Sequence, residues 1–105
     1  MTAPRHLSRF DLTGKSALIV GGTGTFGRAG AFALGEAGCR VTIADRDEAA
    51  IEAIAGDLAS ANIEAATVAL WPDSEANAEA MVQAAVDAHG RLDVVFIALG
   101  TNDVG

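Results

Sequence analysis

Three glycines with regular spacing could hold a phosphate group. Gly21, Gly24 and Gly27 fall within the run GGTGTFG, directly after a short apolar segment. In this spacing the first glycine permits a tight turn, the second leaves room for a diphosphate near the backbone, and the third lets the next helix pack closely. Backbone N–H groups and the positive end of the helix dipole would then face the anion. The motif predicts a phosphate site bordered by Gly21, Gly24, Thr25, Phe26 and Gly27.

The charges around this turn favour an external anion. No Asp or Glu occurs from residue 12 to residue 35, whereas the next two predicted helices open with Asp47 and Glu48 and with Asp73 and Glu75. Acidic residues at a helix N-terminus stabilise the positive end of its dipole, so a helix without them can receive a ligand there. The alternative is a glycine turn selected only for close packing.

An acidic and a basic residue follow the second predicted strand. Asp45 comes 18 residues after Gly27, close to the spacing of roughly 20 at which a carboxylate accepts hydrogen bonds from an adenosine ribose. Its charge would repel the additional phosphate of NADP, so the predicted cofactor is NAD, with NADP the less favoured choice. Arg46 could instead attract that phosphate. Asp45 could also cap the next helix, although Asp47 can do so.

The elements that position these residues alternate between strand and helix. The apolar runs are typical of strands covered on both faces, and the crossovers are long enough for parallel pairing. The sequence therefore predicts an α/β fold with a Rossmann-type doubly wound parallel sheet of four strands, in the order 3-2-1-4, and three helices. The predicted strands cover 16–20, 40–44, 63–70 and 93–99, and the predicted helices cover 25–37, 47–60 and a segment from a cap at Asp73 or Ser74 to His89. Residues 1–15 form an arm and turn, and residues 16–105 form a nucleotide-binding half-domain that ends after the fourth strand.

Composition excludes several other classes of protein. The chain has 105 residues and a net charge of −7, and an acidic chain without a basic stripe does not favour nucleic acid. Cys39 is the only cysteine, and His6 and His89 are far apart, so no metal site is expected. The chain has neither the apolar run of a secretory signal nor a stretch long enough to span a membrane, which predicts a cytoplasmic protein.

The sequence resembles the short-chain dehydrogenase/reductase family over residues 10–105. The resemblance rests on the LTGK segment at residues 12–15, the glycine turn, GRA at 27–29, ADR at 44–46 and GRLDV at 90–94. It implies an oxidoreductase that uses a nicotinamide cofactor to oxidise an alcohol or reduce a carbonyl. It also implies that the backbone of Ala98, Leu99 and Gly100 borders the adenosine ribose.

No catalytic residue can be assigned. In the family, a Tyr and a Lys four residues later carry the chemistry, together with a Ser and often an Asn. This chain contains no Tyr, and its only Lys, Lys15, precedes the first strand. We therefore expect the chain alone to bind and not to catalyse, and the complete protein to form a homo-oligomer. The alternative functions are a non-catalytic NAD(P)-binding sensor of the same fold and an interaction module that binds no nucleotide.

Three positions depart from the commonest pattern of the family. Thr25 replaces the middle glycine and Val20 the threonine of TGxxxGxG, so the spacing is closer to GxxGxxG. Leu70 stands where an Asp usually contacts adenine, and Trp71 follows it. Trp71 is expected to pack under the third helix or, less favourably, to cover the adenine. The NNAG that usually follows the fourth strand is replaced by residues 97–100, IALG.

Overall fold

A computed structural model describes residues 11–98 of the chain. Four parallel strands form one sheet in the order β3-β2-β1-β4, and three helices connect them. This confirms the predicted fold. Residues 1–10 of the predicted arm, together with Leu99 and Gly100, lie outside the described residues. The strands are β1 (Ser16–Val20), β2 (Arg40–Ala44), β3 (Ala65–Val68) and β4 (Val94–Ile97), and the helices are α1 (Thr25–Glu36), α2 (Glu48–Ser60) and α3 (Glu75–His89).

Helix boundaries agree with the predictions to within a residue or two. Asp47 caps α2 by accepting a hydrogen bond from the N–H of Ala50, and Ser74 caps α3 in the same way through Asn77. Gly90 ends α3 with a left-handed backbone conformation, φ +83°. Each of these signals acts within a few residues, so it can be read from the sequence alone.

The third strand is shorter than predicted. Ile63 lies before β3 rather than in it, and its side chain is buried in the core beside α2. The preceding residue, Asn62, has a positive φ of 65°, which reverses the chain after the helix. An apolar residue in a loop can thus be buried as fully as one in a strand. For this reason the apolar pattern predicted a start of β3 that is too early.

Alternation along the strands separates two cores. Successive side chains of a strand point to opposite faces of the sheet. Ala17 and Ile19 of β1 therefore pack with α1 and α2, whereas Leu18 and Val20 pack with Met81 of α3. Cys39 is buried in the first core, as expected for a small core residue, and burial raises the pKa of its thiol.

The face that carries α3 is incompletely covered. Val95 and Ile97 of β4 are 49% and 63% exposed. A groove of about 210 Å³ runs between β4 and α3, lined by apolar side chains that include Met81 and Val82. Within residues 11–98, no helix combines the length and apolar character needed to cross a bilayer.

The sheet has two ends with different surroundings. We call the side on which the strands begin, at Ser16, Arg40, Ala65 and Val94, the amino edge, and the side on which they end, at Val20, Ala44, Val68 and Ile97, the carboxyl edge.

Polar groups at the amino edge bind one another. The Asp93 carboxylate accepts hydrogen bonds from the N–H of Ser16, at 2.9 Å, and from the guanidinium of Arg91, at 2.8 Å. His89, buried at the end of α3, has its Nε2 3.1 Å from the carbonyl oxygen of Val41. Because a carbonyl oxygen only accepts, Nε2 must carry the proton. The Asp93 contacts join the segment before β4 to β1, and the His89 contact joins the last turn of α3 to β2.

Candidate functional site

The glycine turn connects the carboxyl edge of β1 to α1. Gly21 has a φ of +81°, and its N–H donates to the carbonyl oxygen of Ala44 at 2.9 Å. A Cβ on Gly27 would overlap the Gly21 carbonyl oxygen and lie 2.7 Å from the Cα of Gly22. The close packing predicted for Gly27 is therefore required by the fold.

Gly24 is different, because the chain itself does not need a glycine there. It is exposed, its φ is −82°, and a Cβ would have its nearest neighbour, the Gly21 carbonyl oxygen, 3.9 Å away. Neither backbone strain nor packing explains a glycine at this position. The hypothesis of a turn selected only for close packing therefore accounts for Gly27 and leaves Gly24 unexplained.

The N-terminus of α1 lacks the groups that complete the other two helices. Its N-cap residue is Gly24, no side chain among the described residues caps it, and its first turn contains no acidic residue. In contrast, α2 and α3 each have a side-chain cap and a Glu in the first turn. The first N–H groups of a helix have no intrahelical partner, so those of α1 are available to an anion.

The side chains beside this helix end are exposed or engaged elsewhere. Thr25 and Phe26 face solvent, and Phe26 is 74% exposed, so it is not a core residue. Arg28 forms an ion pair with Asp57 of α2, with 2.9 Å between Nη1 and Oδ2. Arg28 is thus held against α2 through its guanidinium.

Asp45 lies at the carboxyl edge of β2 and is buried, with 7% of its surface exposed. Its Oδ2 accepts hydrogen bonds from the hydroxyl of Thr23, at 2.6 Å, and from the N–H of Thr23, at 3.2 Å, while Oδ1 accepts from the N–H of Arg46 at 2.7 Å. An ionised carboxylate has about four lone-pair positions, so one remains on Oδ1. Asp45 therefore braces the glycine turn and retains one position for a further donor. Asp47, and not Asp45, caps α2.

Thr23 is the residue that sequence reasoning missed. It lies in the turn, 22 residues before Asp45, and its two hydrogen bonds to the carboxylate tie the turn to β2. A hydroxyl two residues after the first glycine of the motif is the only signal in the sequence. Its partner becomes evident only when β1 and β2 are paired.

Arg46 and Trp71 form a stacked pair at the same edge. The central carbon of the guanidinium lies 4.2 Å from the centroid of the indole ring. Leu70 packs against the core beneath α3. The two roles predicted for Trp71, packing under α3 and covering the adenine, stay predictions, and the structure adds a contact of its ring with Arg46.

Ala98 adjoins the glycine turn. Its N–H donates to the carbonyl oxygen of Val20 at 2.8 Å and continues the pairing of β4 with β1. Since Val20 immediately precedes Gly21, the structure brings Ala98, the turn, Asp45 and Arg46 to the carboxyl edge of three adjacent strands. The arrangement combines free N–H groups at a helix end, a nearly saturated carboxylate and an exposed cation. It is suited to holding a molecule that contains phosphate and a polar heterocycle.

Comparison with known proteins gives a consistent result. The family model described as short chain dehydrogenase matches residues 15–105. Two proteins of Mycobacterium tuberculosis, from strains CDC 1551 and H37Rv and each described as an uncharacterized oxidoreductase, are 44% identical to the chain over 99 residues. These matches cover 93% of this chain and 36% of the relatives, so the chain spans about a third of their length.

Solved structures share the fold. A metagenomic short-chain oxidoreductase in complex with NADP is 30% identical, with a TM-score of 0.74 over 81% of this chain and 38% of that chain. A short chain dehydrogenase/reductase from Burkholderia phymatum in complex with NAD is also 30% identical, with a TM-score of 0.76 over 81% of this chain and 30% of that chain. With the family model matched over most of its length, the chain belongs to the short chain dehydrogenase family.

Proposed function

We propose that this chain holds the dinucleotide of an NAD-dependent oxidoreductase whose complete form oxidises an alcohol or reduces a carbonyl compound. The observation that carries the proposal is the open N-terminus of α1, with its exposed Gly24 and no carboxylate in the first turn. The diphosphate would lie against these N–H groups, as an anion does at such helix ends. When bound, the nicotinamide would donate or accept the hydride.

The preference for NAD over NADP rests on Asp45. The carboxylate is held in place by Thr23 and retains one acceptor position, which suits a single ribose hydroxyl. A phosphate on that ribose would place a second negative charge beside a carboxylate that cannot turn away. The electrostatic repulsion between the two is larger near buried groups than in water.

The chain's own residues contribute binding and orientation. Ala98 would border the ribose beside the turn, and we assign Leu99 and Gly100 to the same border. Gly21, Gly24, Thr25, Phe26 and Gly27 would surround the diphosphate, and Asp45 and Arg46 would contact the adenosine. Since the chain contains no Tyr, we assign it no group for proton transfer and expect no turnover from the chain alone.

Calorimetric titration of the chain with NAD and NADP tests this function. We expect saturable heat with both, and tighter binding of NAD. Asp45→Ala should weaken NAD binding more than NADP binding. Thr23→Val should weaken the binding of both dinucleotides by less than Asp45→Ala does, because it removes the hydroxyl that holds Asp45 and keeps the charge of the carboxylate. Asp87→Ala is the charge control, because it removes an acid on α3 whose side-chain hydrogen bond among the described residues is to Gln83. No heat with either dinucleotide would contradict the proposed function, and equal losses for Asp45→Ala would contradict the preference for NAD.

A further inference from the structure

The stack of Arg46 on Trp71 joins the ends of two adjacent strands. Arg46 lies two residues beyond the last residue of β2, Ala44, and Trp71 three beyond the last residue of β3, Val68. Ala44 and Val68 are register partners in the sheet. The 4.2 Å between guanidinium carbon and ring centroid is well within the range of a cation–π interaction, about 6 Å. The guanidinium thus lies over the indole ring, and the two side chains form one unit at the carboxyl edge.

The charge of Arg46 is not used by the described part of the chain. None of the ion pairs among residues 11–98 includes it. Arg28 provides a contrast, since it also lies over an aromatic ring, that of Phe32 at 4.9 Å, but its guanidinium is paired with Asp57. A stacked guanidinium without a carboxylate partner has one face covered by the indole, while its opposite face and its N–H edge remain available.

The position of this unit indicates what it would contact. The backbone N–H of Arg46 donates to Asp45, the residue to which we assign the adenosine ribose. A base attached to that ribose would therefore lie beside Asp45, within reach of Arg46. A planar guanidinium stacks well on an aromatic heterocycle, and more readily when its orientation is already fixed.

We propose that Trp71 is a positioning residue that holds the guanidinium of Arg46 in place over the indole ring. The outer face of the guanidinium then forms the platform for the adenine ring. This inference rests on the proposed dinucleotide site and adds the recognition of its adenine. Trp71 acts through Arg46, whose guanidinium lies over its ring, and we assign it no contact with the base. Loss of the indole would leave a long side chain free to sample many rotamers, and the base would have to order it on binding.

Tryptophan fluorescence provides a direct readout, because Trp71 is the only tryptophan and the chain has no tyrosine. Titration with ADP-ribose, which carries the adenosine half, should change the Trp71 emission saturably. Nicotinamide mononucleotide, which lacks the adenine, should leave the emission unchanged. An emission change with the mononucleotide and none with ADP-ribose would overturn the proposal.

Affinity for ADP-ribose in a double-mutant cycle tests the coupling. Trp71→Ala and Arg46→Gln should each weaken binding by about fivefold, and the double variant should lose little more than either alone. Trp71→Phe should retain most of the affinity, because it keeps an aromatic face. Arg40→Gln removes the same charge at the amino edge, where its guanidinium contacts the Gly14 carbonyl oxygen, and should change the affinity by less than about twofold.

The outcomes separate this inference from the proposed function. If Trp71→Ala lowers the melting temperature but leaves the ADP-ribose affinity of the folded protein unchanged, the stack is only structural and the inference is wrong. Additive losses in the cycle would also overturn it. If wild-type protein binds NAD while the Trp71 emission does not respond, the inference fails and the dinucleotide site stands. If NAD does not bind, both fail.

Discussion

The polar groups at the two edges of the sheet differ in whether they have partners within the protein. At the amino edge, Asp93 binds Ser16 and Arg91, and His89 binds the backbone of β2. At the carboxyl edge, the N-terminus of α1 has no side-chain cap, and the charge of Arg46 has no carboxylate partner among the described residues. At the amino edge the ion pair and these hydrogen bonds are made within the protein, although the Ser16 hydroxyl and Nδ1 of His89 are buried without a hydrogen-bond partner among the described residues. The carboxyl edge has donors and a cation available to an anion.

The topology explains why the open edge is the carboxyl one. In a parallel sheet with helical crossovers, every helix begins beside the end of a strand and finishes beside the start of the next. Helix N-termini, with their positive ends, therefore gather at the carboxyl edge. α2 and α3 satisfy this end with their own side chains, and α1 does not. The difference lies in the residues at the helix start and not in the fold.

The largest expected effect distinguishes the two glycines of the turn. Gly27→Ala should lower the free energy of unfolding by about 3 kcal/mol, because the new methyl group overlaps backbone atoms that cannot rotate away. Gly24→Ala should change it by less than about 1 kcal/mol, because its φ suits alanine and the space is open. Urea denaturation measures both.

Ligand binding should show the complementary result for Gly24. Folded Gly24→Ala should bind NAD more weakly than the wild type, since the methyl group would occupy the space assigned to the diphosphate. If Gly24→Ala retained wild-type affinity in calorimetry, the open space beside it would not be the phosphate site.

A carboxylate placed in the first turn of α1 should convert this helix end into one like those of α2 and α3. Thr25→Glu should raise the free energy of unfolding by about 0.3–1 kcal/mol and weaken NAD binding by about tenfold through charge repulsion. Thr25→Gln, which matches the shape of Glu without its charge, is the control: it measures the steric effect of a longer side chain beside the diphosphate, and the additional loss of affinity in Thr25→Glu is the effect of the charge. A stabilised variant with unchanged affinity would indicate that no anion binds at this end.

Removal of an existing side-chain cap tests a helix N-terminus that the protein caps with its own residues. Ser74→Ala should lower the free energy of unfolding by about 1 kcal/mol, because the N–H of Asn77 loses its acceptor. NAD affinity should not change, and Ser74→Asp should restore stability. A loss of affinity in Ser74→Ala, measured under conditions where the variant is fully folded, would place this helix end in the site as well.

The smallest effect concerns the amino edge and depends on pH. The Arg91 guanidinium, and next the N–H of Ser16, hold the pKa of Asp93 at about 2, below its ordinary value of 3.8. The carboxylate therefore contributes its full stabilisation above pH 3.8, and this is lost as the pH falls through about 2.

Asp93→Asn should be less stable than the wild type at neutral pH, and its free energy of unfolding should fall less steeply between these two pH values. Denaturation curves along a pH series measure this difference. Parallel pH dependences would show that the Arg91 contact does not persist in solution, and a change in NAD affinity would contradict the separation of the two edges.

Local signals in the sequence predicted most of the framework. The caps at Asp47 and Ser74, the stop at Gly90 and the tight turn at Gly21 each act within a few residues of chain. The limits of β3 were less predictable, since Ile63 is buried from a loop. The sequence favoured packing of Trp71 under the third helix and did not predict its contact with Arg46, which lies 25 residues earlier in the chain.

The sequence by itself determined the alternation of strand and helix, the order of the strands and the one helix start without an acid. The alternation and the helix start depend on apolar periodicity, glycine spacing and charge, which are local, whereas the strand order follows from the right-handed crossovers and usual winding of such folds. Only the tertiary structure decided that Thr23 holds Asp45 and that Trp71 supports Arg46, because each pair comes from segments that meet through strand register. Strand pairing brings such side chains within hydrogen-bond or stacking distance, and no spacing along the chain specifies which partner each will find.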